Sequence, residues 1–157
     1  MEAQPGILHS LQRFQFFMEV IPVKLSGISK ADLNYKPAPA KWSKKEILGH
    51  LVDSAQNNIR RFIVAQYEDE PVIRYAQDEW VNCSDYQHYP TRDLVVLWTL
   101  LNRHICILLR QMSPEAAQRK CGMGGPPQTM EWVAADYCNH LLHHLHQILD
   151  LDPIAYP

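Results

Sequence analysis

Apolar residues recur every three and four positions in four long segments of the chain, the spacing that gathers them on one face of an α-helix. The first segment runs from about residue 7 to 26, with Leu8, Leu11, Phe14, Met18, Ile21 and Leu25 on its stripe. Pro22 predicts a kink within it and Gly27 an end. The second opens after KPAPAKW, where Ser43 and Glu46 form the pattern of a capping box, and should reach about Gln66. The third takes Thr91 as its cap and carries Leu94, Leu97, Trp98, Leu101, Ile105 and Leu108 until Ser113-Pro114 stops it. The fourth follows the loop CGMGGPPQ, begins near Thr129 with Glu131 in its first turn, and ends near Leu149. No segment alternates with the β-branched period of a sheet, so the expected fold is all-α, a four-helix bundle. The connection between the second and third helices, residues 67–90, is long for a compact domain and rich in aromatics and acids. It should lie over the mouth of a site or, alternatively, cover one end of the core with Trp80, Tyr75 and Tyr86.

Composition adds limits to this picture. A chain of 157 residues with 46% hydrophobic positions fits one domain, residues 1–157, around a single core. The formal net charge of -2, without a run of Lys or Arg, argues against nucleic acid or an anionic membrane as partners. No apolar run reaches the ~20 residues of a membrane span, and MEAQPGILHS lacks the marks of a signal peptide, which places the protein in the cytoplasm. Cys83, Cys106, Cys121 and Cys138 show no paired spacing and read as reduced thiols, with Cys138 a small buried hydrophobe.

Histidine breaks the ordinariness, because four of the eight, His140, His143, His144 and His146, fall in one stretch of the fourth helix. At ~100° per residue His140 and His144 lie within ~40° of each other at the rim of the apolar face, whereas His143 and His146 project to the polar arc. An inward i, i+4 pair stacks two imidazoles on adjacent turns, close enough for both to bind one cation. On the second helix His50, Ser54, Asn57 and Arg61 form a polar ladder beside the apolar stripe. That ladder is either a solvated helix edge or the wall of an internal crevice in which His50 completes a three-histidine site with His140 and His144. Three neutral nitrogens suit Ni, Zn, Fe or Co and leave coordination positions open. Asp53 and Asp136 are placed to accept a ring N–H and fix the ligand tautomers.

Several elements together resemble a known family: Trp42-Ser43, HLVDSAQNNIRRF from His50 to Phe62, EDEPVIR from Glu68 to Arg74, DEW ending at Trp80, and YCNHLLHHLHQI. They are similar to the DinB-like superfamily, most of all to its YfiT-type metal-dependent hydrolases, over nearly the whole chain. The resemblance implies a four-helix bundle with a long second-to-third connection and a divalent metal, nickel or zinc foremost with manganese also open, held by His50, His140 and His144. It also implies a homodimer, for which the sequence itself offers no exposed apolar stripe. Relatives in that superfamily include thiol S-transferases.

The expected function is therefore a metal-dependent transferase that activates a small-molecule thiol and adds it to an electrophilic substrate. Asp53, Asn57 and Arg61 are the catalytic candidates, with Arg61 gripping a substrate carboxylate and Asn57 assisting. Trp80 and Tyr137 are candidates for the apolar wall. A hydrolase is the alternative, with Asp53, Asp78 or Glu79 as base to a water, and a non-catalytic metal-binding module is a third reading.

Overall fold

The computed structural model describes residues 5–149. The sequence reading of the extreme N-terminus, and the ends of the expected domain, fall partly outside these residues. Four long helices occupy the expected segments: α1 (Pro5–Ser26), α3 (Lys44–Val64), α5 (Thr91–Gln111) and α7 (Met130–Leu149). The connections hold three shorter helices, α2 (Lys30–Asn34), α4 (Gln77–Ser84) and α6 (Pro114–Gln118). Two strands, β1 (Lys120–Cys121) and β2 (Gln128–Thr129), pair antiparallel as the stem of the Gly/Pro loop. The chain is thus an all-α four-helix bundle with a minimal hairpin.

Local chemistry explains the helix ends. Ser43 Oγ accepts from the Glu46 amide at 3.1 Å while Glu46 Oε2 accepts from the Ser43 amide at 2.7 Å, completing the capping box of α3. Thr129 Oγ1 accepts from the Trp132 amide at 3.2 Å and starts α7. At α5 the expected cap is displaced by one residue: Pro90 holds the cap position, Thr91 is already helical, and no side chain closes that end. α1 passes through Pro22 and ends at Ser26, next to Gly27. α3 stops at Val64, two residues short of the expected end, where Ala65, Gln66 and Tyr67 take up turn hydrogen bonds.

Around the bundle, α1 packs on α5 and α7, and α3 packs on the same two, so α1 and α3 are diagonal, as are α5 and α7. The apolar faces meet in one core that includes Phe14, Leu51, Phe62, Trp98, Tyr137 and Leu141. Tyr137 stacks on Phe14 at 5.4 Å between ring centroids and donates to Asn102 Oδ1 at 2.8 Å, so its hydroxyl is satisfied in the core rather than offered to a pocket. The Cys138 thiol is buried, pushed up to about 12 by desolvation above all. No helix of the described residues is long and apolar enough to cross a membrane. An apolar stripe that the sequence reading did not single out runs along the outside of α5, where Val96, Leu100 and Ile107 are 48, 55 and 48% exposed.

α4 divides the long 67–90 connection, and each expected role for that segment holds for a different part of it. Tyr86 is buried against α3 at Gly49, where an added Cβ would lie 2.1 Å from the Tyr86 ring. Gln77 and Asp78, at the start of α4, line a cavity that also contains His144. Trp80 is 36% exposed and meets Tyr75 edge-on at 5.5 Å, so it lies at the surface and is no apolar wall of that cavity.

Candidate metal centre

The polar ladder of α3 faces inward. His50, Ser54, Asn57 and Arg61 are 1, 3, 4 and 9% exposed, which excludes the solvated-edge reading. α7 lies against this helix and brings His140 and His144 opposite His50. The three imidazoles form a triangle, with ring centroids 5.1 Å apart for His50 and His140, 4.9 Å for His50 and His144, and 4.6 Å for His140 and His144. One nitrogen from each lies within 4.8 Å of the others, an arrangement that could hold a metal ion. His50 Nε2 and His140 Nε2 are 3.2 Å apart. Two nitrogens bound to one tetrahedral ion at ~2.0–2.1 Å stand ~3.3–3.4 Å apart, so this pair already has the separation that shared coordination requires.

Neighbouring groups orient the rings. His144 donates from Nδ1 to Gln147 Oε1 at 2.9 Å, which leaves Nε2 as its acceptor nitrogen. His140 Nδ1 meets Ser54 Oγ at 3.5 Å, and Trp42 packs against the His50 ring with centroids 5.0 Å apart. Burial holds all three histidines neutral, the state in which imidazole binds metal. Desolvation and then the His144 charge push His50 down to about 4. Desolvation and then the charges of His144, His50, His143 and Arg61 push His140 down to about 3. His144 is lowered by desolvation, with the Gln147 bond opposing.

The expected supporting residues serve other partners. Asp53 does not accept from His50: its Oδ1 takes the Tyr86 hydroxyl at 2.5 Å, while Asp53 Oδ2 and His50 Nδ1 are both buried without a partner. Desolvation raises Asp53 to about 6, against the opposing Tyr86 bond. Asn57 donates to the Asp53 carbonyl one turn back at 2.9 Å. Arg61 fastens the connection, with Nε and Nη2 donating to the Ile73 carbonyl at 3.2 and 3.1 Å and Nη1 donating to Asn58 Oδ1 at 3.3 Å. The edge that would grip a substrate carboxylate bidentately is therefore occupied by a loop carbonyl. Asp136 is half-buried and acts electrostatically on Arg61. His143 is exposed as expected, but His146 is half-buried with both ring nitrogens enclosed. α1 packs on α7, where Arg13 Nη1 donates to Asn139 Oδ1 at 2.8 Å, so the arc is interface at Asn139 and solvated at His143.

A cavity of about 570 Å³ opens beside His144, bordered by Trp42, Lys41, Gln77, Asp78 and Gln147. Sequence reasoning missed Gln147 and Tyr86 as orienting groups. The i, i+3 spacing of His144 and Gln147 was available as a signal, whereas nothing local joins Tyr86 to Asp53 across 33 positions.

Fold and site together define a four-helix bundle with a histidine trio on two adjacent helices, buried at His50 and half-buried at His140 and His144. The chain belongs to the DinB superfamily, whose family model matches residues 19–148. Among its relatives are proteins named as candidate metal-dependent hydrolases. That of Oceanobacillus iheyensis is 34% identical over 79 residues, 50% of this chain and 45% of its own. That of Halalkalibacterium halodurans is 30% identical over 109 residues, 68% of this chain and 63% of its own. The match thus spans less than two thirds of the length of these two. YfiT of Bacillus subtilis is 29% identical over 146 residues, 85% of this chain and 79% of its own. The solved structure of YfiT, described as having an unusual four-helix bundle topology, superposes with a TM-score of 0.81 at 22% identity, over 96% of this chain and 87% of that one. A mycothiol-dependent maleylpyruvate isomerase shares the fold with a TM-score of 0.72 at 12% identity, over 94% of this chain and 63% of that one.

Proposed function

We propose that this protein is a divalent-metal enzyme in which His50, His140 and His144 hold the ion and a small thiol is activated there for addition to an electrophile. The observation that carries the reading is the trio itself, three desolvated neutral imidazoles converging beside an open cavity. Structural zinc sites saturate four protein ligands, whereas a three-ligand set leaves room for substrate and so favours an enzyme over a passive module. When bound, the ion would supply a Lewis-acidic position that keeps a thiol ionised at neutral pH. The chain's own part is to hold that position dry and oriented. Gln147 and Ser54 fix two of the rings, Trp42 packs against the third, and Arg61 pins the connection through Ile73. Ionisation of the thiol by the ion requires no carboxylate base, which agrees with the engagement of Asp53 by Tyr86. The likeness of fold to a mycothiol-dependent enzyme supports the same reading.

Hydrolysis is the second reading, supported by the names of the relatives and by Asp78, which borders the cavity with His144 and would serve as base to a water. A cytoplasmic setting and a homodimer remain part of the proposal.

Metal analysis of the purified protein comes first. Wild type should carry nickel or zinc near one equivalent, and His50→Ala or His144→Ala should lose most of it; equal metal in all three would remove the basis of the proposal. Incubation with a panel of thiols and monochlorobimane then decides the reaction. Thiol-dependent adduct formation that disappears in His50→Ala supports the transferase. Inertness toward every thiol, with cleavage of esters or amides that Asp78→Asn abolishes, establishes the hydrolase instead.

A further inference from the structure

A groove of about 760 Å³ lies on the seam between α1 and α5, closed at one end by α2. It shares no lining residue with the cavity at His144, and the histidines belong to the opposite seam, between α3 and α7. Its floor is apolar, built from Ile28, Leu33, Val95 and the exposed pair Val96 and Leu100. The hydroxyls beside it are turned to their own helices: Ser26 Oγ donates to the Pro22 carbonyl at 2.8 Å and Thr99 Oγ1 to the Val95 carbonyl at 2.7 Å.

The charged groups lining the groove are all cationic, Lys30, Arg92 and Arg103, and none of them has an ion pair or hydrogen bond among the described residues. Nearby acids are turned elsewhere, since Asp32 pairs with Lys44 at 3.1 Å and Asp93, in the first turn of α5, does not line the groove. Positive charge gathers at one end. Lys30 and Arg92 both border the groove, the N-terminus of α5 has no side-chain cap, and buried Lys45 shares a neighbouring cavity with Lys30 and Thr91 while donating to the Gln87 carbonyl at 3.1 Å. Burial and then the nearby Lys30 charge lower the Lys45 pKa. Arg103 lies three turns further along α5 and also borders the groove.

We propose that this groove binds a free amphipathic carboxylate, with its anionic head at Lys30 and Arg92 and its apolar body along Val95, Val96 and Leu100. A helix rise of ~1.5 Å per residue puts Leu100 about 12 Å from Arg92, room for a chain of roughly eight to ten carbons. Charge complementarity selects this occupant. A second copy presenting the same face would oppose Arg92 and Arg103 with like charges, and a neutral apolar ligand would leave three cations unused.

The test is calorimetric titration of the full-length protein with decanoate below its aggregation concentration, with decyltrimethylammonium as the control. One saturable decanoate site is expected, weakened at least about tenfold in the Lys30→Gln/Arg92→Gln double variant and retained after metal is stripped by chelator. Equal binding of the cationic detergent, unchanged affinity in the double variant, or no decanoate binding at millimolar concentration would each overturn it. So would loss of decanoate binding on chelation, which would place the carboxylate at the histidine trio, or a dimer that Leu100→Asp converts to monomers, which would give the groove to a second copy. Circular dichroism of each variant separates these outcomes from misfolding.

Discussion

His50 shows how burial sets the chemistry of a single side chain. Its ring, 1% exposed, is pushed from 6.5 down to about 4, and His140 falls to about 3. Both bind protons more weakly folded than unfolded, so in metal-free protein their contribution is full above about pH 6.5 and is lost as the pH falls toward the folded values. Asp53 acts with the opposite sign. Raised from 3.8 to about 6, it binds a proton more tightly when folded and makes stability fall as pH rises through that window. Two histidines outweigh one carboxyl, so urea midpoints of chelator-treated protein should drop between pH 7 and pH 4.5. Asp53→Asn should steepen that drop by removing the opposing slope. A flat profile would show that these groups are not desolvated as the geometry requires. The contact of Tyr86 with Gly49 belongs to the same scale, because only a residue without a side chain lets the phenol reach Asp53.

At the level of elements, α3 matters most, since it carries His50, Asp53, Ser54 and Arg61 on one buried face. Its N-terminus is fixed by the reciprocal Ser43 and Glu46 bonds, and Glu46 also takes the Lys36 ammonium at 2.9 Å. Ser43→Ala breaks one half of that box and should cost about 1 kcal/mol, lowering the thermal midpoint by roughly 2–4 °C. A calorimetric scan that leaves the midpoint unmoved would mean the Glu46 bonds alone hold the end. The 67–90 connection is likewise more than a linker. Arg61 holds it at Ile73, Arg119 holds it from the other side through the Glu68 carbonyl at 2.8 Å, and Ile73 donates to the Gly122 carbonyl at 2.9 Å. These bonds set where Gln77 and Asp78 meet the cavity, so the mouth of the site depends on Arg61, Arg119 and Gly122, which lie outside the connection.

For the whole molecule, two seams of one bundle carry different chemistry, a histidine trio between α3 and α7 and a cationic apolar groove between α1 and α5. An ion that binds only the folded trio stabilises the whole chain by mass action, about 2.7 kcal/mol at a hundredfold excess over its dissociation constant. Added nickel or zinc should therefore raise the melting temperature of stripped wild type by roughly 5–10 °C and leave His144→Ala unmoved. Equal shifts in both proteins would place the stabilising ion elsewhere. The helix segments, the capping box and the inward phase of His140 and His144 were readable along the chain, because periodicity and capping depend on residues a few positions apart. Pairing a histidine with another ninety positions away was suggested by motif and phase, but its 3.2 Å nitrogen contact exists only because α7 packs beside α3. The same dependence explains where the sequence reading fell short. Asp53, Arg61 and His146 each had a plausible local role, and each was claimed by a partner or a covering helix that only the tertiary structure supplies. Sequence alone determined which faces must be buried; packing decided what each buried group would meet, because hydrogen bonds and desolvation are set by distances between segments rather than by positions along the chain.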